Sequence, residues 1–453
     1  MKAEDSSTPA NKIKWTVDFI STLKLLLEGG ANPIWIPDKL LLLEEYVHHS
    51  AQYQFFEKVF FVLVTYHNLF NQLVEVIKLF LSVTFPHDNH QTTILHTLAT
   101  VPWKWIGEKH PDLSPMLFQQ YCHIISTVID CDPVIVDETS IYGRTALHQL
   151  FYEIKLINHH KNGIRYACDL SAPLFSKKNV NMQDNEGKTV LHYVAEAFPI
   201  LDKPISAEDQ IAFMTVVAKL SSSSSNVIQD KFGRTPLHTL IAKYSRMIPE
   251  HCCDIFCELV KILASPANVD IPDNNKQTAM HILAIKFAEE TIEPGQILLL
   301  QLLKDLVLQS NNCIQDYQGH TVLHLLVKNF KQKVSEKSAK LLNEVILVLA
   351  SPLTANIQNT LGQTALHELA NKVYEHPDLG HQLLPLLPTL ITSQNVNMKD
   401  SNSVTPYTWI IGGKLVCGFD DLNSKEIFTQ FEHYMVNAGA DADVARLGFP
   451  VVQ

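Results

Sequence analysis

The sequence has no long hydrophobic run. Its most apolar early stretch, Val59 to Val64, falls far short of the roughly 20 residues that cross a bilayer. The polar start Met1-Lys2-Ala3-Glu4-Asp5-Ser6-Ser7 lacks the apolar centre of a secretory signal. Basic charge is scarce too: 36 Lys and Arg face 47 Asp and Glu, a net charge of −11 at pH 7. A general nucleic-acid binder would need the opposite surplus to neutralise phosphates. The eight cysteines stand at irregular spacing and make no disulfide framework, so they read as reduced thiols inside a cell. There is no glycine-rich phosphate loop, nucleophile elbow or paired-carboxylate signature, and Gly412-Gly413 with Gly418 has the wrong spacing for one. These absences point to a soluble, cytoplasmic protein, with a nuclear setting also compatible. They also point away from an enzyme, a metal, a cofactor, a small-molecule substrate, a membrane or nucleic acid, which leaves other proteins as partners.

What the chain has in abundance is repetition. Aligned on histidine, one head recurs as Thr93-Ile94-Leu95-His96, Thr145-Ala146-Leu147-His148, Thr189-Val190-Leu191-His192 and Thr235-Pro236-Leu237-His238. It continues as Thr278-Ala279-Met280-His281, Thr321-Val322-Leu323-His324 and Thr364-Ala365-Leu366-His367, and an eighth copy, Thr405-Pro406-Tyr407-Thr408, has lost the histidine. A unit recurring at a near-fixed period marks a repeat array whose core grows along one axis.

Eight residues before each histidine stands Asp88, Asp184, Asp230, Asp273, Asp316 or Asn359, with Asp400 in the same place before Thr408; Ser140 breaks the rule. Five before it comes glycine in most units, at Gly143, Gly187, Gly233, Gly319 and Gly362. Asp-x-x-Gly is turn chemistry, in which the carboxylate binds nearby amides and glycine takes positive φ. The threonine then sits where a helix N-cap is needed, with Pro236 and Pro406 suited to the first helical position. Apolar residues follow at i, i+3 and i+4, as in Leu237, Leu240, Ile241 or Leu366, Leu369, Ala370. A polar connector leads to a second apolar helix, such as 255–264, 297–308 or 341–350. Pro385 and Pro388 predict a shortened or kinked second helix in one unit.

Asp-x-x-Gly-x-Thr-Pro-Leu-His before two antiparallel helices resembles the ankyrin repeat. Asn179-Val180-Asn181-Met182-Gln183-Asp184 and Asn395-Val396-Asn397-Met398-Lys399-Asp400 are similar to that family's lead-in. Asn437-Ala438-Gly439-Ala440-Asp441 resembles the end of its second helix. The resemblance implies an all-α, ankyrin-like α-solenoid with β-hairpin-like turns, in which each histidine bridges its own helix start to a neighbouring turn. The period departs from the family: the histidine spacings are 52, 44, 46, 43, 43 and 43, with 41 to Thr408, against about 33 for an ankyrin unit. Longer helices or a longer connector must absorb the difference, and segments 245–250 and 331–336 are where the extra residues are expected.

The organisation expected is a helical cap or degenerate repeats over residues 1–86, about eight units over 87–445, and a short tail over 446–453. The repeat heads Thr145, His148, Thr189, His192, Thr235, His238, Thr278, His281, Thr321, His324, Thr364 and His367 are read as structural, since ligands on successive units stand too far apart to share a metal. His251-Cys252-Cys253 with Cys257 reads as buried thiols, and Ser221 to Ser225 as a flexible spacer. Aromatic residues at the turn tips need another explanation. Tyr142, Phe232 and Tyr317, with the basic column Arg144, Lys188 and Arg234, are the candidate site for a partner protein or peptide carrying an acidic segment. The functional expectation is a non-catalytic interaction scaffold or adaptor that binds a partner protein or peptide on the hairpin-tip and first-helix surface. The second class weighed is a substrate receptor of a cullin-type ubiquitin ligase, as in the fem-1-like proteins, with an adaptor box hidden between Lys39 and Val83.

Overall fold

The structure, a computed structural model, describes residues 93, 95–100, 115–153, 163–197, 206–244, 250–307, 311–330, 335–416 and 422–441. The expected cap over 1–86, segments 245–249 and 331–334, and the tail over 446–453 lie outside the described residues. All regular elements among the described residues are helices, and none is long and apolar enough to cross a membrane. The chain divides into two compact units, residues 1–225 and 226–453.

In the first unit the helices are α1 (Pro115–Cys131), α2 (Ala146–Glu153), α3 (Gly163–Leu174), α4 (Val190–Ala197) and α5 (Ala207–Leu220). The head helices α2 and α4 pack side by side, and the second helices α1, α3 and α5 form a parallel row behind them. The second unit repeats the plan with α6 (Pro236–Ala242), α7 (Glu250–Leu263), α8 (Ala279–Glu289), α9 (Glu293–Val307), α10 (Val322–Lys328), α11 (Glu336–Leu349), α12 (Ala365–Glu375), α13 (Pro406–Val416) and α14 (Leu422–Asn437). Here α6, α8, α10, α12 and α13 stack in order, with α7, α9 and α11 stacked behind. The i, i+3, i+4 pattern faces inward as its spacing requires: Leu237, Leu240, Ile241, Leu366, Leu369 and Ala370 are all fully buried.

The head helices α2, α6, α8, α10 and α12 begin with a reciprocal cap. The Thr235 hydroxyl accepts from the His238 amide while His238 Nδ1 accepts from the Thr235 amide, so histidine fills the place that glutamate takes in a common capping box. The same pairing recurs at Thr278/His281, Thr321/His324 and Thr364/His367. In the eighth head the Thr408 hydroxyl stands 2.9 Å from that of Thr405, a shorter substitute for the ring.

The long period is resolved in one module. There α8 has eleven residues and α9 fifteen, joined only by Glu290, Thr291 and Ile292, so the added length lies in the helices. Glu290 is buried; its Oε1 accepts the Thr291 and Ile292 amides at 2.8 and 2.9 Å, and its Oε2 accepts the Tyr244 hydroxyl at 2.9 Å. Where Pro385 and Pro388 fall, the second helix breaks into Gly380–Leu383, a 3-10 turn at Leu384–Leu386, and Leu387–Leu390.

Ser221 to Ser225 is not a loose spacer. Ser225 is fully buried, its hydroxyl donating to the Leu220 carbonyl at 2.8 Å and accepting the Ser222 amide at 2.7 Å, which closes the end of α5. Asparagine does this elsewhere. Asn268 Nδ2 donates to the Leu263 and Asn226 carbonyls at 2.6 and 3.1 Å, and its Oδ1 accepts the Ser265 amide at 2.8 Å. Asn179 and Asn395 repeat the pattern on Leu174 and Leu390. Each thereby terminates one helix and ties it to the preceding module.

Candidate functional site

The tips are built from the turn outward. Asp184 Oδ1 accepts the amides of Glu186 and Lys188 at 2.8 and 2.9 Å, and the Gly187 amide donates to the Asp184 carbonyl at 2.8 Å. Asp230, Asp273, Asp316, Asn359 and Asp400 hold their tips in the same way. At Ser140 the hydroxyl accepts only the Tyr142 amide, at 3.3 Å. Gly233 sits at φ +75°, and a Cβ there would stand 2.7 Å from the Asn274 amide of the next tip. Lys276 and Ser403 adopt the same left-handed conformation without being glycine, at φ 58° and 63°.

Neighbouring tips join by one backbone rung each. The Asn185 amide donates to the Tyr142 carbonyl at 2.9 Å. In the second unit Asn274 donates to Phe232, Tyr317 to Asn275, Thr360 to Gln318 and Ser401 to Leu361, at 2.9 to 3.1 Å. The head histidines add a second tie. Nε2 of His148, His238, His281, His324 and His367 donates to the carbonyls of Met182, Gln277, His320, Gln363 and Val404, at 3.0 to 3.3 Å. A carbonyl only accepts, and Nδ1 is already an acceptor, so these rings are neutral with the proton on Nε2. Burial pushes His148, His324 and His367 down to about 4, and lowers His238 and His281 in the same direction. The histidines are thus fasteners between modules, and among the described residues no group of three or more His, Cys, Asp and Glu could hold a metal ion. Cys253 and Cys257 are half-buried, while the side chains of His251 and Cys252 lie outside the described residues.

On this frame the candidate aromatic residues stand outward: Tyr142 is 54% exposed, Phe232 50% and Tyr317 61%. Leu361, in the same column, is 55% exposed. The basic residues are not arrayed as open charges. Arg234 Nε and Nη2 both donate to Asp230 Oδ2, at 3.0 and 2.8 Å, with the guanidinium over the Phe232 ring. Lys188 pairs with Glu196. Arg144 and Lys188 belong to the first unit and Arg234 to the second.

Arg144, Lys188 and Tyr142 do come together, around a cleft of about 440 Å³ that Tyr152, Asp184, Tyr193 and Glu196 also line. The Arg144 guanidinium lies 4.1 Å from the centre of the Tyr152 ring, and its Nε donates to the Tyr193 hydroxyl at 3.1 Å. Tyr193 passes its own proton donation on to Asp184 Oδ2, and burial followed by that bond pushes the phenol well above its ordinary range. Sequence reasoning missed Tyr152, Tyr193 and Glu196. Each follows its own head at +4, +1 or +4 from the histidine, a helical face whose meaning depends on the neighbouring module.

No protein-family model matches the sequence, and no curated protein does. Solved structures show likeness at low superposition scores. The ankyrin repeat domain of Bcl-3, a member of the IkappaB protein family, matches with 17% identity and a TM-score of 0.36 over 63% of this chain and 99% of its own. An ankyrin repeat domain from Acinetobacter baumannii AYE gives 15% identity and 0.35 over 55% and 98%. The ankyrin repeat protein EF0377 gives 13% and 0.34 over 53% and 97%. The recurring Thr-x-x-His head, its reciprocal cap and the laddered Asp-x-x-Gly tips make each unit an all-helical array of long-period repeats that resemble ankyrin repeats.

Proposed function

We propose that the chain is a non-catalytic interaction scaffold that docks partner proteins on its repeat tips. The observation that carries this reading is the exposure of Tyr142, Phe232, Tyr317 and Leu361 on turns already fixed by hydrogen bonds. Apolar side chains held in water on a rigid frame supply contact area at little ordering cost, which is what a binding surface needs. The head helices beneath contribute support more than contact, since residues 236–241 of α6 and 322–327 of α10 are buried throughout. Repetition multiplies the effect, because variable tip residues sit on one repeated frame.

The test is quantitative affinity purification of the tagged full-length protein against a variant with Tyr142, Phe232, Tyr317 and Leu361 all changed to serine. The proposal expects a stable set of proteins with the parent and its loss with the variant, at unchanged thermal stability. Retention of the whole set would overturn it. A cullin with its adaptor in the parent's set would move the protein to the ligase-receptor class, whose box would fall in residues 39–83, outside the described residues.

A further inference from the structure

Sequence and geometry meet in the Tyr142–Arg144 cleft. In the second unit Arg234 is satisfied inside its own turn by Asp230, four residues earlier. Arg144 occupies the same repeat position, but the residue four before it is Ser140, so its own tip offers no carboxylate.

The neighbouring acids offset this only in part. Asp184 commits Oδ1 to two backbone amides and Oδ2 to the Tyr193 hydroxyl, and it forms an ion pair with Arg144 Nε at 3.6 Å that is too long for a hydrogen bond. Glu196 is taken by Lys188. Among the described residues Arg144 makes one hydrogen bond, from Nε to Tyr193, and neither Nη group makes any. The guanidinium is also held in place, with Tyr152 at 4.1 Å and Tyr193 and Tyr142 at 5.4 and 5.7 Å from its carbon. A fixed guanidinium whose two Nη groups make no hydrogen bond matches the two oxygens of a carboxylate. Tyr142 and Tyr152, 54% and 40% exposed, offer apolar walls on either side.

We infer that the cleft between Tyr142, Arg144, Tyr152 and Lys188 is a docking subsite for an Asp or Glu side chain of a partner peptide, which supplies to Arg144 the carboxylate that Ser140 lacks. The inference rests on the interaction reading above and names the chemistry of one contact within it. The unbonded Nη groups of Arg144 select the occupant: the cleft's carboxylates, Asp184, Glu196 and Glu186 beside them, are engaged within the fold, whereas these two donors make no hydrogen bond.

The test is selection of a random dodecapeptide library on the full-length protein. The peptides are displayed through their C-terminal ends, so that any carboxylate recovered is a side chain. The expected result is enrichment of an Asp or Glu beside an aromatic or aliphatic residue. Selected peptides should bind Arg144→Gln at least about tenfold more weakly, and Arg144→Lys more weakly as well, because lysine keeps the charge but loses the fork. Should Arg144→Gln fail to fold, Tyr142→Ser, at an exposed wall, must weaken the same peptides. Enrichment of basic peptides, peptides indifferent to both substitutions, or no enrichment at all would overturn the inference. If partner capture still depends on Phe232, Tyr317 and Leu361 in those cases, the broader interaction reading stands without it.

Discussion

Nε2 of His148 stands 3.1 Å from the carbonyl of Met182, in the module that follows its own. That bond, repeated down each unit, makes the neutral imidazole part of the packing between modules. It gives the fold a pH dependence with a defined sign. The unfolded chain titrates near 6.5, whereas His148, His324 and His367 are held down at about 4 by burial. Between these values the unfolded chain binds the extra proton, so stability is complete above pH 6.5 and is lost as pH falls toward 4. Each such histidine should cost on the order of 1 kcal/mol between pH 6.5 and 5.5. Denaturant titrations at those two pH values check this, and equal midpoints would refute it.

Asn268 closes α7 and binds the preceding module at once. Asn268→Ala leaves buried amide and carbonyl groups without partners, and should lower unfolding free energy by roughly 2–4 kcal/mol. Ser225, which plays the same part for α5, is smaller and bonds to fewer distant groups. Ser225→Ala should therefore cost less, and the reverse order in chemical denaturation would argue against the role assigned to the asparagine.

The left-handed tip positions offer a paired test. Gly233→Ala places a methyl against the Asn274 backbone and strains φ, so it should destabilise by about 2 kcal/mol or more. Lys276→Gly removes an existing left-handed strain and should be neutral or stabilising by up to about 1 kcal/mol. Thermal melts of both variants decide it; equal destabilisation would mean the tips are not fixed in the conformation described.

Much of this was legible in the sequence because the repeat is its own alignment. The Thr-x-x-His head located most caps, Asp-x-x-Gly located most turns, and Pro385 with Pro388 located a broken helix. Contacts between modules were harder to read. Asn179, Asn268 and Asn395 resemble ordinary loop residues until the preceding helix end is beside them. The basic column read as an open stripe, yet Lys188 closes on Glu196 and Arg234 on Asp230. Only the substitution of Ser140 for the usual acid marked Arg144 as different, and its meaning needed Tyr152 and Tyr193 in place.

The central claim is that partners meet the tips rather than the second helices. Site-specific photo-crosslinking tests it most directly, with a benzophenone side chain placed at Phe232 or Tyr317 on the tips, and at Ile211 or Leu347 on the second helices, where exposure is 67% and 65%. The account predicts discrete adducts with partner proteins from positions 232 and 317 and none from 211 and 347. Adducts confined to the second-helix positions would contradict it.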